Sequence, residues 1–302
     1  MRLLANEGLL VQKRGRGTFL VKPGERPAQV GSHRVFVLFH EPATENRVAW
    51  FIPQTILRGT MNNNHHYVIR SPAVSDLQKE LKSSPVPPAF ICMRRPYEEA
   101  RHIIGDSLCI VIHTNSRHAA PLNAVNFDKV TSACNAINYL VETLGHRRPA
   151  IIWGGGPHHE EYLKGYELTL CRHGIPYDES LVVNSHLGIE PEGYKAMAEL
   201  LDRKVEFSAV FVDTDLKAIG AIQCLRDRGL RVPEDVSMLG SDDVEGISAE
   251  HGLSTLPVPF YEMGRRAMDL LDKRILGAGV DVPSDVLRTD VIERNTAIPF
   301  KG

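Results

Sequence analysis

The chain has 302 residues, 43% of them hydrophobic and 24% charged, with a formal net charge of −2. That length and apolar content suit one large or two smaller globular domains with sizeable cores. The near-neutral balance excludes a global nucleic-acid footprint, so any DNA contact has to come from a local basic patch.

Five scattered cysteines (Cys92, Cys109, Cys134, Cys171, Cys224), with no Cys-x-x-Cys pair, point to reduced thiols rather than a disulfide framework. No run of about 18 apolar residues is present, so no membrane span is expected. The N-terminus lacks the basic and apolar regions of a signal peptide, and the expected localisation is cytoplasmic.

Residues 1–22 stand apart. Leu9 to Lys13 and Thr18 to Val21 read as two short strands around an Arg14-Gly15-Arg16-Gly17 turn, whose glycines permit a tight hairpin. Lys13, Arg14 and Arg16 give its tip three cations, suited to phosphates or a minor groove. Residues 23–32, with Pro23, Gly24 and Pro27, read as a linker.

From residue 33 strands and helices alternate. Arg34 to Phe39 is an apolar strand with His40 and Glu41 at its carboxyl end. Val48 to Met61 is a helix in which Pro53 has to sit in the first turn or cause a kink. Tyr67 to Arg70, Ala89 to Met93 and Leu108 to Ile112 are further strands, the last leading into His113. Helices fall at Ser75 to Lys82 and Pro96 to Gly105. Arg94 and Arg95 follow a strand end; they are either exposed or meet an anionic ligand. Asn123 to Phe127 is strand-like, and Lys129 to Leu144 reads as a helix with Val130, Ala133, Ile137, Leu140, Val141 and Leu144 on one face.

Gly145 is a helix stop before the strand Pro149 to Trp153. The following Gly154-Gly155-Gly156 lacks the Gly-x-Gly-x-x-Gly spacing of a dinucleotide site, because position 159 is His. His158 and Glu161 are a weak metal pair, so no metal or cofactor is expected. Glu160 to His173 and Pro191 to Leu201 are helices, with a strand at Leu181 to Val183 between them.

Phe207 to Asp243 is the most informative stretch. A doubly buried strand ends in Asp213, Thr214 and Asp215, which can cap a helix carrying Leu216, Ile219, Ile222 and Leu225. Gly229 stops that helix, and a second apolar strand ends in Gly240-Ser241-Asp242-Asp243. This β-α-β unit places two polar strand ends on one edge of a parallel sheet, where open α/β sheets bind ligands. A helix at Tyr261 to Leu276 and a strand at Val286 to Ile292, read as closing the second lobe, complete the chain.

The strings Asp213-Thr214-Asp215-x-x-Ala218-x-Gly220, Gly229-x-x-Val232-Pro233-x-Asp235-Val236-Ser237 and Gly240-x-Asp242-Asp243 resemble the effector-binding domain of the LacI/GalR repressors. Leu144-Gly145-His146-Arg147-Arg148, Gly165-Tyr166, Leu253-Ser254-Thr255 and Arg294-Asn295-Thr296 extend the resemblance over residues 32–299. It implies an α/β fold of two Rossmann-like parallel-sheet lobes joined by a three-strand hinge, as in type I periplasmic binding proteins. The implied lobes are 33–145 plus 259–277, and 146–258 plus 278–299, and Asp128 is the implied cap of the helix from Lys129. Glu7 to Phe19 similarly resembles the wing of a GntR-type winged helix, whose recognition helix is almost wholly absent from these 302 residues. The resemblance implies DNA contacts at Lys13, Arg14, Gly15, Arg16 and Thr18, although a lone wing supplies few phosphate contacts.

The ligand contacts implied are His40, Glu41, His113, Tyr162, Asp213, Thr214 and Asp242. Plainer roles are loop polarity for His40 and Glu41, a structural strand-end histidine for His113, and helix caps or turns for the aspartates. The family commonly has arginine where this chain has Tyr162, three residues before Gly165. A tyrosine offers stacking and one hydroxyl in place of a bidentate cation, which turns the expectation from a carboxylate towards a neutral, hydroxylated ligand. Val258 adds an apolar wall where relatives carry polar residues. The resulting expectation is a ligand-responsive transcription regulator, dimeric, sensing a sugar or sugar derivative and passing hinge closure to operator DNA. The alternatives are a free-standing solute-binding protein and a small sugar-directed enzyme. For the enzyme no Ser/His/Asp array or complete phosphate loop is found, so no catalysis is expected.

Overall fold

The structure is a computed structural model that describes residues 10–13, 17–20, 34–39, 47–61, 67–82, 86–114, 120–154, 160–277 and 279–301. Strands β1 (Leu10–Lys13) and β2 (Gly17–Leu20) form the expected antiparallel hairpin, Leu10 opposite Leu20 and Lys13 opposite Gly17.

Two parallel sheets follow. The first has the order β13-β7-β6-β5-β3-β4, built from β3 (Arg34–Leu38), β4 (Val68–Arg70), β5 (Pro88–Met93), β6 (Leu108–His113), β7 (Ala124–Phe127) and β13 (Asp285–Leu287). Alternate residues of these strands serve opposite faces. Val35, Val37, Ile91, Ile110 and Val125 pack against α1 (Arg47–Met61) and α8 (Phe260–Leu276). Phe36, Leu38, Phe90 and Cys92 pack against α2 (Leu77–Lys82) and α3 (Arg94–Ile104). Burial on both faces is why these strands read as unbroken apolar runs.

The second sheet has the order β12-β11-β10-β8-β9, from β8 (Pro149–Trp153), β9 (Val182–Asn184), β10 (Ala209–Val212), β11 (Ser237–Asp242) and β12 (Thr255–Pro257). Ile152, Val210, Val212 and Met238 meet α6 (Glu190–Asp202) and α7 (Asp215–Asp227). Ile151, Phe211, Leu239 and Leu256 meet α4 (Lys129–Asn138) and α5 (Glu160–Arg172). Two helix pairs, α6–α7 and α1–α8, close up through glycines. A Cβ on Gly193 or Gly220 would lie 1.9 Å from a backbone oxygen of the facing helix, and one on Gly264 would lie 2.1 Å from the Ile56 carbonyl.

Two assignments differ from the sequence reading. The helix at 129–143, grouped there with the first lobe, turns its apolar face to Ile151 and Phe211 of the second, and its last turn, Tyr139–Thr143, widens to a π-helix. The strand expected over Val286–Ile292 is shorter, and Asp285–Leu287 adds to the first sheet beside β7. There it fills the open side of β7, and only afterwards does Ile292 return to the second lobe, bonding to Thr255.

Candidate functional site

The chain passes between the lobes at β7–α4, at β12–α8 and after β13. Each crossing leaves a sheet at a strand's carboxyl end, so those two edges face one another. The crossings are bonded together. The Asp128 amide donates to the Leu287 carbonyl at 2.8 Å, and the Thr289 hydroxyl to the Pro257 carbonyl at 2.7 Å. The Asp128 carboxylate accepts from the Thr131 amide as the cap of α4 and pairs with Arg288 at 3.0 Å. Arg58 on α1 reaches Glu245, beyond β11, at 2.7 Å, an ion pair from lobe to lobe.

The second lobe's wall is built at the ends of β10 and β11. Asp213 directly follows β10 and is buried in an ion pair with Lys217, one helical turn on; Lys217 also donates to the Ser185 carbonyl at 3.2 Å. Thr214 caps α7, its hydroxyl accepting from the Lys217 amide. Asp215 is fully buried and takes bonds from the Val244 amide and the Ser248 and Thr255 hydroxyls, at 3.1, 2.5 and 2.6 Å. It ties α7 to β12 and to the turn after β11. Burial pushes its carboxyl up to about 6, against the pull of those donors. Gly240 leaves room for it, since a Cβ there would stand 2.4 Å from Asp215 Oδ1.

Asp242 closes β11 with a positive φ of 110°, followed by Asp243 at 53°. That conformation is costly outside glycine. The residue keeps part of its surface open, while burial of its carboxyl raises its pKa well above the usual range. Asp215 and Asp213 reinforce that rise; Lys129 and Lys217 oppose it. A carboxyl enclosed by protein, on a residue that keeps part of its surface open, is what a cleft floor provides. Its two oxygens can accept from, or when protonated donate to, neighbouring ligand hydroxyls.

Tyr162 lies behind this wall rather than on its surface. Its ring is 1% exposed, packed edge-on against Phe211, and its hydroxyl shares a 2.8 Å bond with Ser241. On the first lobe, His113 is buried at the end of β6, beside Asn126 of β7, which exchanges two bonds with Ala120. The structure thus gathers Asp213, Thr214, Tyr162 and Asp242 at one strand edge and sets His113 on the edge of the other lobe. Arg94 and Arg95 start α3, paired with Glu98 and Glu99, a surface role. His40, Glu41, Arg14, Gly15, Arg16 and His158 lie outside the described residues, as do the side chains of Lys13 and Thr18.

Lys129 was not singled out by the sequence reading. It is the first residue of α4, nearly buried, with its ammonium 4.8 Å from the centre of the Tyr162 ring. Burial lowers its pKa, while Asp242, Glu161 and Asp213 hold the charge on. A signal was present, because Lys129 stands four residues before Ala133 and so on the apolar stripe of its own helix. Ser241 was also missed, hidden by strand alternation. Among the described residues no group of three or more His, Cys, Asp or Glu is placed to hold a metal ion, and no helix is long and apolar enough to cross a membrane.

Comparison with known proteins agrees with this geometry. Residues 137–297 match the family model described as a periplasmic binding protein-like domain. The HTH-type transcriptional repressor CytR of Escherichia coli strain K12 is 36% identical over 178 residues, covering 58% of this chain and 52% of CytR. The HTH-type transcriptional regulator CelR of Thermobifida fusca is 37% identical over 179 residues, covering 57% of this chain and 51% of CelR. The chain therefore spans about half the length of the curated relatives it matches. A solved CelR–cellobiose complex superposes with a TM-score of 0.69 at 25% identity, over 89% of this chain and 86% of that one. The lac repressor dimer bound to operator and an anti-inducer gives 0.70 at 18% identity, over 89% and 94%, a likeness of fold. With more than half of its residues inside the matched model, the chain belongs to the periplasmic binding protein-like domain family, and its homologues are regulators of the LacI family.

Proposed function

We propose that this protein is a ligand-responsive transcription regulator whose cleft takes a neutral, polyhydroxylated molecule of the sugar class. The observation that carries the reading is Asp242: a partly exposed residue in a strained backbone, at the end of a strand that faces the other lobe across three bonded crossings. The neighbouring charges are already engaged. Lys217 holds Asp213, Asp215 is filled by three donors, and Lys129 is drawn to Asp242 and Glu161. Among the described residues of this wall, a ligand carboxylate or phosphate would meet carboxylates whose neighbouring lysines are already engaged. Hydroxyl groups suit Asp242, Thr214 and His113.

A ligand that favours one hinge angle shifts the lobes' equilibrium by its differential affinity, and coupling of this kind is typically about 1–3 kcal/mol. In the proposed mechanism that shift is passed to operator DNA in a homodimer, with the β1–β2 hairpin serving as a GntR-type wing and its tip from Lys13 to Thr18 lying on phosphates. The reading places the protein in the cytoplasm and assigns it no catalytic step. CelR was solved with cellobiose, and a LacI-family regulator from Enterococcus faecium with ribose. The test is a thermal-shift screen over mono- and disaccharides, including those two, beside purines, amino acids and sugar phosphates. A neutral carbohydrate should raise the melting temperature, because ligands that bind only the folded form stabilise it. A shift from a purine, an amino acid or a phosphate, with none from any neutral sugar, overturns the reading.

A further inference from the structure

A second feature lies wholly within the first lobe. Cys92 on β5 and Cys109 on β6 sit on the sheet face covered by α2 and α3, and their sulfurs are 3.9 Å apart. Cys92 is fully buried. Cys109 is partly exposed and lines a cavity of about 380 Å³ that also borders Tyr97, Val111, His113 and Arg274. The buried sulfur is therefore reached through its neighbour, and that neighbour opens onto a space large enough for a hydrated ion or a small carrier.

The strand register decides what the two sulfurs can do. Phe90 stands opposite Cys109, and Cys92 opposite Val111, so the cysteines are diagonal neighbours. A disulfide needs sulfurs about 2.05 Å apart and closely spaced Cα atoms, which a diagonal pair on one rigid sheet resists. An ion between two thiolates needs much less. At about 2.3 Å per metal–sulfur bond, the sulfurs would stand about 4.6 Å apart, less than one ångström beyond their present separation.

Coordination number then selects the ion. Two sulfurs converge here, and among the described residues no third His, Cys, Asp or Glu completes a cluster. Zinc asks for four ligands, whereas soft thiolate pairs suit monovalent copper and its analogue silver. We propose that Cys92 and Cys109 form a two-coordinate site for a soft monovalent cation, entered from the cavity beside α3. Binding replaces two S–H bonds with two metal–sulfur bonds and releases two protons to solvent; no electrons move. The resulting bis-thiolate carries one negative charge. Arg274, which donates to the Cys109 carbonyl at 2.9 Å, supplies a nearby positive one.

The experiment uses the full chain with Cys171, an exposed thiol, replaced by serine. One equivalent of Ag(I) is added in chloride-free buffer, and native mass spectrometry follows its retention against rising dithiothreitol. The expected result is one silver per chain, with two protons displaced. Retention should fall at least tenfold in Cys109→Ser, a partly exposed position that leaves the core filled. Cys134→Ala and Cys224→Ala should retain silver as the parent does. Circular dichroism confirms that each variant is folded. Retention unchanged in Cys109→Ser, loss caused equally by Cys134→Ala, or release of a single proton overturns the proposal.

Discussion

The Lys129 ammonium lies 4.8 Å from the centre of the Tyr162 ring. It joins the first turn after a hinge crossing to the helix that carries Tyr162, and it is the cation nearest the cleft aspartate in electrostatic effect. Replacing Lys129 with methionine should cost stability, since a cation over a desolvated ring is worth about 0.5–2 kcal/mol and Asp242 loses its main counter-charge. In urea melts Lys129→Met should be less stable than the parent. Pairing it with Asp242→Asn should recover part of the loss, a coupling of about 1 kcal/mol. Strictly additive losses would show that the two residues act independently.

Asp242→Asn isolates the cleft carboxyl. Asparagine tolerates a positive φ better than most residues, so the fold should survive, with a melting temperature close to the parent's. Isothermal titration with the sugar found by screening should show affinity reduced tenfold or more, a loss of about 1.4 kcal/mol or greater. Equal affinity would move the ligand elsewhere.

Asp215 makes stability depend on pH with a definite sign. Its carboxyl is held near 6, above its ordinary 3.8, so the native state binds a proton that the unfolded chain releases. Its favourable contribution is complete below about 3.8 and is lost as pH rises through about 6, a change on the order of 3 kcal/mol. Asp215→Asn keeps the shape and removes the titration. Chemical denaturation between pH 4 and 7 should show the variant's stability falling less steeply than the parent's. Parallel slopes would mean the three donors outweigh desolvation.

Gly193 and Gly220 allow α6 and α7 to touch along their backbones. An alanine at either would put its Cβ 1.9 Å from a carbonyl oxygen, so the helices must part. Alanine's helix preference of about 1 kcal/mol over glycine should be exceeded by the overpacking cost, commonly about 1–3 kcal/mol and more when backbone must move. Gly193→Ala is expected to lower the unfolding free energy, and a more stable variant would show that the crossing is looser than described.

Arg58 and Glu245 tie the lobes through solvent-exposed side chains. A pair of that kind contributes at most about 1 kcal/mol and weakens with salt. Arg58→Glu should shift the ligand-free protein to a more open form, seen as a larger radius of gyration by small-angle scattering. The double exchange with Glu245→Arg should restore it. An unchanged radius in the single variant would remove this pair from the closure equilibrium.

Much of this was readable in the residues alone. Apolar runs such as Val35–Leu38 and Ala209–Val212 have to be strands buried on both faces, the cap Thr214 acts where its side chain and spacing placed it, and Asp128 caps as the family resemblance implied. Gly145 and Gly229 take the positive φ that ends a helix, at 79° and 77°. Local chemistry and a period of two or of 3.6 suffice for such features, because their partners lie within a few residues.

Tertiary structure decided whatever depends on partners far along the chain. Asp215 passes for a simple cap until Ser248 and Thr255, over thirty residues away, are seen to fill its oxygens. Tyr162 passes for a ligand contact until Ser241 and Phe211 are found to enclose it. Val286 and Leu287 join the first sheet because β7 leaves its side open, and nothing within residues 285–287 names that neighbour. Hydrophobic pattern sets which face of an element is buried; which element buries it is settled only when the sheets assemble and their strand ends meet.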